Sequence, residues 1–232
     1  MAVFRTAGEW RWLLLFLVLL VACPAFASER VLTILTMIGI AIISVQGLNI
    51  LTGYCGQISI GHVGFMAVGA YTSAILTATL GWPFWIALPC AALAAGAAGL
   101  VFGLPSLKIR GFYLIMATVA AHFIIIWLVL HLRDLTGGPD GMPVPKPQFG
   151  SFVFNSKASF YYLVLAVGAV GTYAAVNIAR TRAGRAFVAI RDNDLAAEVM
   201  GISLWSHKLQ AFFIGCVYAG VAGALLVHYY GF

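Results

Sequence analysis

Charge is what this sequence has least of. Asp, Glu, Lys and Arg make up 9% of its 232 residues, where soluble domains carry about a quarter. Apolar residues reach 62% and the mean hydropathy is +1.00, which excludes an ordinary soluble domain. Cysteines are few and scattered at Cys23, Cys55, Cys90 and Cys216. None forms a CxxC pair, so they read as small buried apolar residues and no metal site is expected. A GxxxxGK[ST] phosphate loop is absent, which rules out ATP binding by that route. The seven acidic residues all fall outside the apolar runs or in loops. With no HExxH or GxSxG arrangement either, a membrane enzyme has nothing to work with, and no cofactor is expected.

What is present is a series of apolar runs, each long enough to cross roughly 30 Å of hydrocarbon as a helix. Seven can be drawn, at 12–27, 31–51, 62–80, 83–104, 112–132, 160–179 and 209–230. Alternating ten-residue strands are missing, so the backbone satisfies itself in lipid by helix formation, and the fold class is all-α. The chain reads as one transmembrane domain over 1–232. Arg5 and Arg11, the run LLLFLVLLV and Ala25-Phe26-Ala27 together resemble a signal peptide with a small-residue cleavage site. Because the rest of the chain is membranous, the run reads as an uncleaved first span, and the topology after Glu29 is the same either way.

Basic residues orient the spans, since Lys and Arg near span ends stay on the cytoplasmic side. With the N-terminus cytoplasmic, Arg5, Arg11, Lys108, Arg110, Arg180, Arg182, Arg185, Arg191 and Lys208 are inside, and Arg30, Arg133, Lys146 and Lys157 are outside. Nine against four supports this orientation. It also accounts for the net charge of +6 without a nucleic-acid partner; lipid is the surrounding partner.

The stretch GYCGQISIGHVGFMAVGAY, starting at Gly53, breaks the apolar pattern. Its five glycines allow close helix contact or break a helix, and either outcome puts unusual backbone inside a bundle. Gln46, Asn49, Gln57, Ser59 and His62 add polar groups to the same region. Thr118 and His122 add a second polar intrusion in the fifth span. Individually these side chains suit interhelical hydrogen bonds; as a group they suit a lined path. Gly99 and Gly103 form a helix-packing motif. The outward loop at about 133–159 holds TGGPDGMPVPKP, turn and extended chemistry that reads as a connector.

The cytoplasmic segment at about 180–207 gathers charges of both signs at helical spacing. Asp192 or Asn193 is placed to cap a short helix that carries Asp194 in its first turn and ends at Gly201. That helix is expected to expose Ala196 and Ala197 to a partner's groove, with Arg191 and Glu198 pairing across the interface.

Four motifs in order, GQISIGHVGFMAVGAY, LKIRGFYL, TGGPDGM and GRAFVAIRDNDLAAEVMGIS, resemble the LivM-type permeases of branched-chain amino-acid ABC importers. The resemblance covers nearly all of the chain after residue 31. It implies a multi-pass protein of the bacterial inner membrane, working with a periplasmic substrate-binding protein, a second homologous permease as a heterodimer partner, and two ATPase subunits. It also implies that 180–207 couples to the ATPases, through Arg185, Arg191, Asp192, Asp194, Ala196, Ala197, Glu198 and Gly201. Ala196, Ala197 and Gly201 match the family's EAA-and-glycine pattern, with Leu195 where the glutamate stands and Glu198 after the alanines. Relatives carry a carboxylate or amide near the position of His122 and Phe123, and they continue past Gly231 and Phe232, so the chain reads as a fragment or a short natural form. The alternative from the residues alone is a self-sufficient secondary transporter or channel with an ion site at His62 or His122.

Overall fold

A computed structural model describes residues 18–106, 112–138, 141–149 and 152–232. Arg5, Arg11, Lys108 and Arg110, the start of the first expected span, all of LKIRG and part of TGGPDGM lie outside the described residues. The helices are α1 (18–26), α2 (Glu29–Leu48), α3 (His62–Ala78), α4 (Phe84–Ser106), α5 (Phe112–His131), α6 (Arg133–Thr136), α7 (Lys157–Arg180), α8 (Arg182–Asp192), α9 (Asp194–Val199) and α10 (Leu204–Tyr230). A π-wound segment, Asn49–Tyr54, extends α2. The only strands among the described residues are β1 (Gln148–Phe149) and β2 (Phe152–Val153), an antiparallel pair in the 133–159 loop. Five helices are long and apolar enough to span a bilayer, and α3 is a shorter apolar helix of 17 residues. The protein is an all-α polytopic membrane protein.

α10 is the hub. Gly215, Gly220 and Gly223 bring its backbone against α2, α4 and α3: a Cβ on Gly220 would lie 2.7 Å from Ala95 Cβ, and one on Gly223 would overlap the Met66 carbonyl. With little hydrophobic drive between helices in lipid, such close approach supplies the van der Waals contact that holds a bundle together. Gly99 and Gly103 of α4 pack on Cys216 and Phe212 of α10, as the packing motif leads one to expect. Phe65, Phe102 and Phe212 interlock edge to face beneath them, with Phe65 0% and Phe212 1% exposed.

Residue pairings give each helix its direction. Gly61, just before α3, and Gly64 within it meet Thr118 and His122 of α5, and Phe65 and Ser73 of α3 meet Phe212 and His228 of α10, so α3, α5 and α10 run parallel. Gly39 and Gln46 of α2 meet Val164 and Thr172 of α7, and both helices run against α10, as does α4. One end of the bundle therefore holds Arg180, Arg182, Arg185, Arg191 and Lys208, and the opposite end holds Arg30, Arg133, Lys146 and Lys157. At this second end the 141–149 segment lies over α10, where Val144 N donates to Gly231 O at 3.0 Å.

Candidate functional site

The glycine-rich stretch does both things its composition permits. From Gly61 onward it packs as helix: a Cβ on Gly69 would overlap the Gly220 backbone. Before Gly61 it breaks the helix, and residues 55–61 run without regular structure. This arm turns back along α2. His62 Nε2 donates to Ser44 O at 3.1 Å, ten residues before Tyr54, so α3 begins roughly 15 Å up α2 from the end of the π-wound segment. Ile60 N donates to Thr118 Oγ1 at 3.2 Å, about 9 Å along α5 from Phe112. The irregular backbone thus lies well inside the bundle's length.

Exposure alternates along this arm, with Gln57, Ser59 and Gly61 buried and Ile58 and Ile60 exposed. Among the described residues, the Ile58 and Ser59 amides make no hydrogen bond. The Ser59 hydroxyl and the His62 Nδ1 are buried without a partner, as is the His122 Nδ1 on the facing helix. A carbonyl accepts from His62 Nε2, so Nδ1 is the lone-pair side of the ring and is left to accept. A Cβ on Gly64 would lie 3.2 Å from His122 Nδ1. Of the expected path residues, the structure gathers Gln57, Ser59, His62, Thr118 and His122 around this arm. It does not bring Gln46 or Asn49 to them. Gln46 Nε2 donates to Thr172 Oγ1 of α7 at 2.6 Å. Asn49 is exposed, and its Oδ1 is turned over Gly53.

At the basic end, α8 and α9 form a helical pair anchored to the bundle. Phe187 and Ile190 are buried in the shared core. Asn193 is the residue that caps α9, its Oδ1 accepting from Ala196 N at 3.1 Å. Asp194 bonds Lys208 of α10 at 2.7 Å, both partly buried. Past Val199 the turn closes at Gly201, whose φ of +82° is a left-handed conformation that suits glycine.

One expectation for this segment needs correction. Ala197 is 3% exposed and sits in the core, so it anchors α9 inward and is not presented to a partner. A six-residue helix lying on a bundle must bury one side, and two adjacent residues face different ways. Within this chain Arg191 is tied to the bundle and to its neighbour. It donates to Gly53 O at 2.9 Å and to Asp192 Oδ1 at 2.9 and 3.0 Å. Arg185 donates to Arg180 O, and Ala196 and Glu198 are exposed. The outward surface of α9 and its following turn is apolar: Leu195, Val199 and Met200 are 65%, 87% and 81% exposed.

Sequence reasoning missed His228. Its Nδ1 donates to Pro145 O at 2.9 Å, which leaves Nε2 to accept from the Ser73 hydroxyl at 2.9 Å, and the ring packs against Phe84. It joins α3, α10 and the 141–149 segment at the end far from α9. No neighbouring polar residue in the sequence marks it. Among the described residues no His, Cys, Asp or Glu cluster fit to hold a metal ion occurs.

The chain is 36% identical to the high-affinity branched-chain amino acid transport system permease protein LivM of Escherichia coli strain K12, over 98% of this chain and 59% of that protein. It is 35% identical to LivM of Salmonella typhimurium, with the same coverage. A putative glucose ABC transporter permease protein, TsgC13 of Haloferax volcanii, is 28% identical over 86% of this chain and 61% of its own length. The chain thus spans about three-fifths of the length of the curated relatives it matches. No solved structure matches it. Residues 30–232 match the family described as the branched-chain amino acid transport system, permease component, and with this match over most of its length the chain belongs to that family.

Proposed function

We propose that the chain is the transmembrane permease subunit of an ATP-driven importer of branched-chain amino acids or related small amino acids and amides. In this reading residues 1–232 act as a single permease domain in a bacterial inner membrane. The chain pairs with a second homologous permease, receives substrate from a periplasmic binding protein, and is driven by two ATPase subunits. It breaks no bond itself. The observation that carries the reading is the α8–α9 segment. It is fastened to the bundle by Phe187, Ile190, Ala197 and the Asp194 to Lys208 ion pair, yet it holds Leu195, Val199 and Met200 out at the basic end. A solvated loop has no reason to hold an apolar surface rigidly outward at the charged end of the bundle, whereas a partner-docking helix needs one.

The 55–61 arm supports the other half of the reading. Irregular backbone within a membrane bundle is tolerated where it is covered by protein or lines a watery cavity. Gln57, Ser59, His62, Thr118 and His122 are proposed to line the path there. The unpaired acceptor of His62 suits a donor such as a substrate ammonium group. A secondary transporter would use the same histidines, but it has no use for an apolar docking helix.

The test is uptake of labelled leucine into membrane vesicles holding this chain with its partner permease, ATPases and binding protein. Uptake that requires ATP, together with loss of ATPase co-purification in Met200→Glu, is the expected result. Uptake driven by a proton gradient without ATP would select the secondary-transporter alternative.

A further inference from the structure

The end of α2 is held in a way that neither helix packing nor partner docking explains. In a continuing α-helix the Gly53 carbonyl would accept from Gln57 N. Here Gln57 N reaches back to Leu51 O at 3.1 Å, Gly56 N to Thr52 O at 3.1 Å and Cys55 N to Ile50 O at 3.3 Å. Gly53 O is left over, one of the orphan carbonyls that every helix C-terminus exposes.

Arg191 of α8 takes it. Its Nη1 donates to Gly53 O at 2.9 Å, while Nε and Nη2 are both engaged by Asp192 Oδ1. The guanidinium is a rigid planar fork, so the carboxylate on one edge sets the direction of the other. A cation at this position also meets the negative end of the α2 dipole. Just beyond, Gly56 has a φ of +72°, and a Cβ there would lie 3.0 Å from Arg191 Cγ and 3.4 Å from Arg191 Cα. α8 therefore rests directly on the turn from which the 55–61 arm departs.

We propose that Arg191 is a positioning residue for transport. Its guanidinium straps the coupling segment to the π-wound end of α2, so that a displacement of α8 and α9 moves the 55–61 arm and with it Gln57, Ser59 and His62. The inference rests on the importer reading. It adds to that reading a specific mechanical connection between the driven segment and the path. π-wound turns inside longer helices are local departures from the regular ladder and occur frequently at functional sites. This one ends in a glycine-hinged turn, and the contact on it comes from the segment proposed to be driven. Anchoring and transmission are separable, because Phe187, Ile190, Ala197 and Lys208 hold α8 and α9 in place without the guanidinium.

The experiment uses the full complex in vesicles, with leucine uptake and ATP hydrolysis measured on the same preparation. In Arg191→Ala the membrane level and ATPase co-purification are expected to stay at the unsubstituted level and hydrolysis to continue. Leucine moved per ATP is expected to fall about tenfold, within the range typical of coupling between sites. Arg191→Lys, which keeps a donor for Gly53 O but loses the fork to Asp192, is expected to recover part of that ratio. A purely structural role would lower protein level and leave the ratio alone. An unchanged ratio in Arg191→Ala overturns the strap, and so does loss of the ATPase from an otherwise intact complex, which would assign Arg191 to docking. Should Arg191→Ala not insert, Arg191→Met carries the test, because it keeps an apolar stem over Gly56 and removes every donor to Gly53 O: a fall in the ratio supports the strap and an unchanged ratio overturns it. Failure of the importer reading itself shows earlier, as ATP-independent uptake by the unsubstituted complex.

Discussion

Polar side chains inside an apolar bundle divide by whether their partners are already in place. His228 has both ring nitrogens engaged and a ring neighbour in Phe84. His228→Ala should therefore cost about 2–4 kcal/mol, combining a cavity with a buried hydroxyl and carbonyl left unpaired. The effect is read as lower thermal stability of the purified protein in detergent. His62 and Ser59 keep an unpaired atom, so their removal should affect passage more than folding. Ser59→Ala and His62→Phe are expected to leave the membrane level intact and to lower leucine uptake, with one substrate hydrogen bond of about 1–1.5 kcal/mol corresponding to roughly tenfold. Loss of the inserted protein in both variants would reassign the pair to structural glue. The sequence shows which residues are polar in an apolar run, and for Gln57, Ser59, His62, Thr118 and His122 that was enough to group them. It does not show azimuth. Gln46 lies two residues past Ser44 on α2 and yet faces α7, because each helical residue turns the side chain by about 100°.

Among the elements, α9 was legible in its ends and illegible in its face. Asn193 and Gly201 mark the boundaries through local chemistry, a side-chain oxygen for an orphan amide and a left-handed closing residue, and both stand where such chemistry places them. Which of Ala196 and Ala197 turns inward depends on how the helix lies against α10, information held in distant residues. The two alanines therefore make a paired test. Ala197→Trp should overpack the core by about 1–3 kcal/mol and loosen the whole segment, seen as faster proteolysis at 180–207 even without ATPase. Ala196→Trp should leave the isolated permease as protease-resistant as before and weaken only the co-purification of the ATPase. Equal protease sensitivity in the two variants would contradict the inward and outward assignment. The π-wound end of α2 was beyond sequence reasoning for a related reason: a span read as ending at residue 51 runs on to Tyr54, and its last six residues, Asn49–Tyr54, are rewound where α8 lies against them.

For the molecule as a whole, helix direction and charge agree without sharing any input. The parallel set α3, α5 and α10 and the opposing set α2, α4 and α7 follow from packing contacts, whereas the expected orientation follows from counting Lys and Arg. Packing gathers Arg180, Arg182, Arg185, Arg191 and Lys208 at one end and Arg30, Arg133, Lys146 and Lys157 at the other, the same partition that the count assigns to inside and outside. The bundle alone has no inside; only the charge rule supplies one. A single cysteine in place of Lys146, an exposed residue of the 141–149 segment, should therefore react with a membrane-impermeant maleimide added to intact cells. One in place of Arg182, exposed at the start of α8, should react only after the membrane is opened. The native thiols are the background to control, so the labels are read against a chain in which Cys23, Cys55, Cys90 and Cys216 are replaced by alanine or serine. If Arg182→Cys is the position labelled from outside, α8 and α9 lie on the wrong side to meet an ATPase. The docking surface at Leu195, Val199 and Met200 then needs an extracytoplasmic partner. Labelling of both positions from outside in sealed cells would instead show that the spans between them do not cross the membrane as the bundle requires.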